Sequence, residues 1–494
     1  MQCPDPVRMK KLERLASGGR PRVLDLFAGC GGLSLGFQRA GFEILAAVEM
    51  DPHAARSHAI NFHPGDRFDL HAKPRDISQE QPDQVLGELY PGERAEDLVD
   101  IIIGGPPCQA YARVGRAKLR EIWRHPEGYK LDPRGDLFLH YLYYVDRLKP
   151  VALVMENVPD ALNYGGHNIA QEVADWLEDR NYVCRYTLLN AVHYGVPQMR
   201  ERMFLIAVAG ELGVEPEFPV PTHAFTLPAG YKNARKVAMR TLGLLQPERL
   251  GSFVSPPTVD PALPPAVTAY EAIGDLPPIT AHLENRIGRG PRRFTEQVPY
   301  AGPPHSDYAR LMRTWPGFEA LHGISDHVIR YLPRDYRIFA RMRPGDQYPE
   351  AYAHALSLFM AAVERLRREG VDIAPGSEPY QRLWKEYVPP YDVSKFPNRW
   401  WKMERDLPVR TLMAHLGKDS YTHIHYDDAQ ARTISVREAA RLQSFPDGFR
   451  FAGTMNPAFR QIGNAVPPLL AWRVGAAVRE AIETALGVRL PDRP

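Results

Sequence analysis

The chain has 494 residues, more than one hydrophobic core usually serves, so two domains are expected. Its composition, 44% hydrophobic and 24% charged, is that of an ordinary globular protein. No apolar run approaches the ~20 residues of a membrane-spanning helix, and a formal net charge of +2 excludes the overall basicity that would by itself announce a nucleic-acid partner.

The first twenty residues carry Arg8, Lys10, Lys11, Arg14 and Arg20 but lack the apolar core of a secretory signal. Cys3, Cys30, Cys108 and Cys184 form no CxxC pair, so the expectation is a reduced, cytoplasmic protein without a disulfide framework, a zinc site or a membrane partner. From there β-branched runs at 23–27, 44–49, 100–104, 151–156 and 203–208 alternate with amphipathic segments of helical period at 33–40, 52–61, 137–148 and 168–180. This pattern predicts an α/β fold, a mostly parallel sheet with helices on both faces, whose ligands bind beyond the carboxyl ends of the strands. The alternation then stops. Residues 211–310 hold sixteen prolines, which favours an irregular segment, and a second domain is expected to begin there. One strong helix is predicted over 351–369 with Gly370 as its stop. Another is predicted over 469–486, after Pro467 and Pro468 and before Gly487, and is expected to rejoin the first domain. The expected division is 1–210 completed by 456–494, with a smaller domain over 211–455.

The first strand is followed by Asp25-Leu26-Phe27-Ala28-Gly29-Cys30-Gly31-Gly32-Leu33, a glycine-rich turn opening a helix, and the second ends in Glu49. Glycines let backbone approach a ligand closely, and a carboxylate at that place can accept both hydroxyls of a ribose. NAD, FAD and S-adenosylmethionine sites all share this plan. A later strand runs into Gly104-Gly105-Pro106-Pro107-Cys108-Gln109 and sets a thiol at the same rim. The next ends in Glu156-Asn157-Val158, and Gln198-Met199-Arg200-Glu201-Arg202 brings two guanidinium groups before the last strand. Residues 113–134 carry seven Lys and Arg against three acids, an excess of four, which suits phosphates as well as a solvated loop.

A thiol, an acid and paired arginines beside an adenosine-type pocket resemble the DNA cytosine-C5 methyltransferase family. The resemblance runs in order through Asp25 to Gly41, Glu49 with Asp51, Asp76 expected after a strand, the segment from Pro106 to Gln109, Glu156 to Val158, and Gln198 to Arg202. Two further stretches continue it, from Arg432 to Pro446 and from Gln461 to Pro468. It implies a Rossmann-like S-adenosylmethionine-dependent methyltransferase sheet with a second, smaller target-recognition domain. It also implies methyl transfer to carbon 5 of a flipped cytosine in a specific sequence of double-stranded DNA. Cys108 would attack carbon 6, Glu156 would hold N3 and the exocyclic amine, Arg202 would meet O2, and Arg200 would orient Glu156 and Cys108. Phe27, Gly29, Gly31, Glu49, Met50, Asp76, Pro106, Asn464 and Val466 would form the cofactor site. DNA contacts are expected from Gln109, Arg113, Arg116, Arg292, Arg293 and Arg399.

Arg286 and Arg289, the stretch from Arg330 to Arg343, and Asn398 to Lys402 are further candidates for recognition. The basic loop 110–134 would close over the base, although Ala112 stands where the family has serine. A monomer working beside a cognate restriction endonuclease is the expected setting. RNA-directed relatives share the motifs around Cys108 and Glu156 but have a short recognition segment, unlike this chain. An NAD-dependent oxidoreductase gives no reason for Cys108, Glu156 and Arg202 together. A zinc deaminase needs H-x-E before P-C-x-x-C, whereas His125 and Glu127 follow Cys108 and position 111 is tyrosine.

Overall fold

The computed structural model describes residues 4–107, 137–164, 167–231, 235, 251–287, 294, 296–417 and 421–492. These form two compact units: residues 1–266 with 450–452 and 465–494, and residues 267–449 with 453–464. The change of unit falls at 266/267, well beyond the end of the strand–helix alternation. The proline-rich chain after residue 210 stays with the first unit because it is tied to the sheet: Tyr186 N donates to the Ser252 carbonyl and Val254 N to the Tyr186 carbonyl, both at 2.9 Å.

The first unit is built on six strands: β1 (Arg22–Leu26), β2 (Glu43–Val48), β3 (Ile101–Gly104), β4 (Ala152–Asn157), β5 (Tyr182–Asn190) and β6 (Glu201–Ala209). Their order is β2-β1-β3-β4-β6-β5. The first four are parallel, whereas β6 lies antiparallel between β4 and β5. The strands are almost wholly buried, as a parallel sheet covered on both faces requires. The mostly parallel α/β sheet expected from the alternation is therefore present. Strand β5 departs from that reading: only three residues separate it from the preceding helix, with Asn181 left-handed at φ 62°, and Arg185 and Thr187 obscure its apolar period.

Helices α1 (Pro6–Ala16), α2 (Gly32–Arg39), α3 (Pro52–Phe62), α4 (Pro82–Leu89), α5 (Leu137–Leu148) and α6 (Ile169–Glu178) surround the sheet. Asp5 caps α1 and Asp51 caps α3, each with proline at the start of the helix, so both begin where the sequence chemistry places them. Tyr141, Leu142, Val145 and Leu148 of α5 share one apolar cluster with Leu24, Ile102, Leu153 and Leu205 of the sheet. The C-terminal helix Pro468–Leu486 returns to pack on α2, and Gly36 permits the approach because a Cβ there would overlap Ala471 and the Trp472 backbone.

The second unit has few strands among its described residues. Helix Tyr348–Arg368 starts three residues before the predicted boundary, because Gln347 and Glu350 form a reciprocal cap and Pro349 fits the first turn. Its Phe359 meets Tyr380 and Trp384 of helix Glu378–Tyr387, with ring centroids 5.1 and 5.0 Å apart. A second aromatic cluster joins Phe339, Tyr348, Trp400 and Tyr421. The unit is further held by buried ion pairs. Arg432 grips both carboxylate oxygens of Glu438 at 2.7 Å, Arg437 pairs with Asp326, and Arg441 pairs with Asp275 and Asp447.

Candidate active site at the carboxyl edge of the sheet

Strand β1 leaves the sheet through a turn that is left-handed at Phe27 (φ 58°), Gly29 (φ 55°) and Gly31 (φ 100°). Such backbone costs about 1–3 kcal/mol at a residue with a side chain, so Phe27 stores strain of the kind found where backbone is shaped for a ligand. Gly31 has no alternative, since a Cβ there would overlap the Phe62 ring, and Gly32 lies against the Val466 carbonyl in the same way. Beside Gly29, by contrast, a Cβ would meet nothing within 4 Å. The turn is thus packed from below and open on one side.

Glu49 follows β2 directly. Its Oε2 accepts the Gly29 N–H at 2.8 Å and its Oε1 the Asp51 N–H at 2.7 Å, which fixes the carboxylate against the glycine turn. Burial raises its pKa, opposed by those backbone N–H groups. Met50, next in sequence, is 64% exposed, an unusual state for a large apolar side chain. Asp76 does not follow a strand, contrary to expectation. The described chain between β2 and β3 is helix and turn, and Asp76 sits in a loop where its Oδ1 accepts from the N–H and hydroxyl of Ser78. That loop still reaches the site, because Arg75 N donates to the Glu49 carbonyl at 2.8 Å. Val466 lies against the glycine turn. Asn464 ends helix Met455–Asn464, is exposed, and belongs to the second unit.

Under the turn lies a buried chain that sequence reading missed. Ser34 Oγ donates to Asp25 Oδ2 at 2.6 Å and stands 2.9 Å from His58 Nε2. Burial pushes Asp25 up to about 7 and His58 down to about 3, so the imidazole is neutral and bonds Ser34 through an Nε2–H. The signal was available in α3, where His58 and Phe62 are four residues apart and face Gly31 together.

At the next strand exits, Pro106 is buried, and β4 presents Glu156 at its end with a side chain 13% exposed. Arg202 on β6 pairs with it, Nε to Oε1 at 2.9 Å, because the antiparallel register brings the start of β6 beside the end of β4. The Arg202 guanidinium is held from behind by the Glu201 carbonyl at 2.6 Å. Arg200 is 2% exposed and acts on Glu156 through its charge. Arg202 thus makes the ion pair with Glu156, and Arg200 adds a second positive charge beside it. Burial raises the pKa of Glu156, against the opposing charges of Arg202 and Arg200, and burial together with Arg202 lowers that of Arg200.

Cys108, Gln109, Arg113 and Arg116, with the loop 110–134, lie outside the described residues, as do Arg289, Arg292 and Arg293. Arg399 is exposed and stacks over Phe396 at 4.0 Å. Its neighbours Trp400, Trp401 and Lys402 are buried instead of available for DNA. Lys402 Nζ donates to the Phe339 carbonyl at 2.8 Å and pairs with Asp428, which makes it a brace. Of the described arginines from 330 to 343, Arg334 pairs with Asp335 and Arg337 with Glu386, while Arg341 and Arg343 are exposed. Arg286 pairs with Glu284.

A carboxylic acid, two arginines and a glycine turn converge on one sheet edge, in the order that the sequence motifs anticipate. Residues 21–255 and 362–480 match the C-5 cytosine-specific DNA methylase family. The chain belongs to this family. It is an S-adenosylmethionine-dependent DNA cytosine-5 methyltransferase. It is similar to M.OihORF3336P of Oceanobacillus iheyensis, 38% identical over 467 residues that cover 94% of this chain and 96% of that one. It is also similar to the type II methyltransferase M.AgeI of Thalassovita gelatinovora, at 30% identity over 94% of this chain and 100% of the relative. The fold matches the crystal structure of a prophage-encoded E. coli protein with a TM-score of 0.57, at 22% identity and covering 94% and 99% of the two chains. No helix among the described residues is long and apolar enough to cross a membrane.

Proposed function

We propose that this enzyme methylates carbon 5 of a flipped cytosine within a specific duplex sequence, through a covalent bond between Cys108 and carbon 6. The observation that carries the reading is the Glu156–Arg202 pair at 2.9 Å, set at the strand exit beside the Pro106-Pro107 turn that leads to Cys108. Carbon 5 of cytosine is a poor nucleophile. Adding the Cys108 thiolate to carbon 6 converts the C5–C6 double bond into an electron-rich enamine, and the displaced electron density runs toward N3. Burial favours the protonated form of Glu156, which can donate to N3 as that charge builds, while Arg202 fixes the carboxyl and presents a cation to O2. Loss of the proton from carbon 5 and expulsion of the Cys108 thiolate then restore the ring.

The cofactor site fits S-adenosylmethionine. Glu49 is fixed for the ribose hydroxyls, Gly29 leaves open space, Met50 offers an exposed apolar surface, and the Asp76 loop is tied to Glu49. Phe27, Gly31, Pro106, Val466 and Asn464 complete the proposed set. When bound, the cofactor supplies an electrophilic methyl group on its sulfonium.

Residues Gln109, Arg113, Arg116, Arg292, Arg293 and Arg399 are proposed DNA contacts, and the second unit is proposed to select the site. Relatives named as type II methyltransferases support a setting beside a cognate restriction endonuclease. The deciding experiment maps 5-methylcytosine in cells expressing the wild type or Cys108→Ala. One modified motif, absent from the variant, is expected. Equal maps would defeat the role of Cys108, and transfer of radiolabel to tRNA but not to duplex DNA would defeat the choice of substrate.

A further inference from the structure

Asn157 closes β4 immediately after Glu156, and sequence motifs gave it no task. Asn157 is 6% exposed, and its carboxamide bonds two backbone groups. Nδ2 donates to the Pro106 carbonyl at 3.0 Å, and Oδ1 accepts from the Val158 N–H at 2.8 Å. The orientation of the amide is forced, since a carbonyl can only accept and an N–H can only donate. The backbone of Asn157 is fixed separately, by its pairing with Met203 on β6. The side chain therefore joins a rigid strand end to the exit of β3.

Two features make this link matter for chemistry two residues further on. The first is stiffness: Pro106 and Pro107 have φ locked by their rings, and Pro107 also confines Pro106 to extended conformations. A displacement at the Pro106 carbonyl is thus transmitted along the chain with little absorbed. The second is closeness. Parallel register sets Gly104 beside Met155, and a Cβ on Gly105 would stand 3.0 Å from Glu156 Oε2, so the exit of β3 runs directly against the acid.

We propose that Asn157 is a positioning residue for the reaction: its carboxamide holds the Pro106 carbonyl, and with it the turn leading to Cys108, in fixed relation to the carboxyl of Glu156. The proposal rests on the reading of Cys108 as nucleophile. Attack on carbon 6 requires a near-attack geometry, and a misplacement of about 1 Å costs on the order of 100-fold in rate. Asp at this position keeps the acceptor for Val158 but turns a carboxylate toward the Pro106 carbonyl. When protonated, that acid regains a donor.

Full-length wild type, Asn157→Ala, Asn157→Asp and Cys108→Ala are incubated with S-adenosylmethionine and a PCR-made duplex carrying 5-fluorocytosine in place of cytosine. Carbon 5 then bears fluorine instead of the proton that must leave, so the sulfur–carbon 6 bond persists through denaturing electrophoresis. Asn157→Ala is expected to form this band about 100-fold more slowly, with melting temperature, cofactor affinity and duplex retention close to wild type. Asn157→Asp should match it at about pH 8 and recover toward wild type at about pH 5.5, as the buried acid takes up a proton. A wild-type rate in Asn157→Ala overturns the proposal. So does a loss matched by weakened binding or melting, and so does an Asn157→Asp rate that tracks Asn157→Ala at both pH values. A band from Cys108→Ala would instead defeat the nucleophile reading, which is separable from the Asn157 result.

Discussion

The two units solve the problem of a stable interior in different ways. The first buries continuous apolar strands under helices, and at one edge of its sheet Glu49 and Glu156 stand at strand exits and Arg202 at the start of β6. The second buries charge: Arg432, Arg437 and Arg441 are each at most 1% exposed, and each is paired with carboxylates. A hydrophobic sheet tolerates strained, reactive edges because its stability lies elsewhere. A buried ionic network specifies one arrangement of irregular chain, but it is intolerant of losing any partner.

The sharpest test of the catalytic edge is Glu156→Gln, expected to lower single-turnover methylation by roughly 10²–10⁴-fold. The wild-type rate should fall on the alkaline side as Glu156 ionises through its raised pKa, and the variant should lack that limb. In the second unit, Arg441→Met takes from the buried Asp447 its paired guanidinium and leaves Asp275 with Arg313, and a loss of about 3–5 kcal/mol is expected in urea unfolding. Calorimetric titration of this variant with S-adenosylmethionine should still give near wild-type affinity, and joint loss would erase the contrast between the units. Smaller again is Glu49→Gln. Replacing a charge-assisted acceptor, at about 1.5–3 kcal/mol, should weaken cofactor binding by roughly tenfold to hundredfold.

The smallest effect concerns Asp25. Its folded pKa, about 7, exceeds the ordinary 3.8, so the stability linked to its protonated form is full below about pH 4 and lost as pH rises toward 7. Asp25→Asn keeps an acceptor for Ser34 without the charge. Relative to wild type, its melting temperature should therefore climb between those limits, and a constant difference across the range would remove Asp25 from the account.

The same contrast explains what could be read in advance. Periodicity is local, so strands β1 to β4 and helices α2, α3, α5 and α6 lay within a residue or two of expectation. Strand β5 escaped because Arg185 and Thr187 interrupt its apolar run. The strand expected before Asp76 was a motif carried over without local support. In the second unit the organising contacts are remote: Arg441 meets Asp275 across 166 residues and Arg437 meets Asp326 across 111. No window of sequence contains such a pair. Lys402 was misread for a related reason, since a loop without period does not reveal which side chains turn inward. At the site, the residue types were legible while their bonds were not, and only geometry gave Glu156 to Arg202.

The helix Pro468–Leu486 belongs to the first unit although the whole second unit is encoded before it. During synthesis the nascent sheet must wait, with α2 bare, until the intervening chain has emerged and the last helix arrives. Contacts between such distant stretches slow folding and leave apolar surface uncovered meanwhile. A ribosome-bound chain halted before Pro468 should therefore be protease-sensitive around α2. On this topology the first unit is completed only after the second has been made.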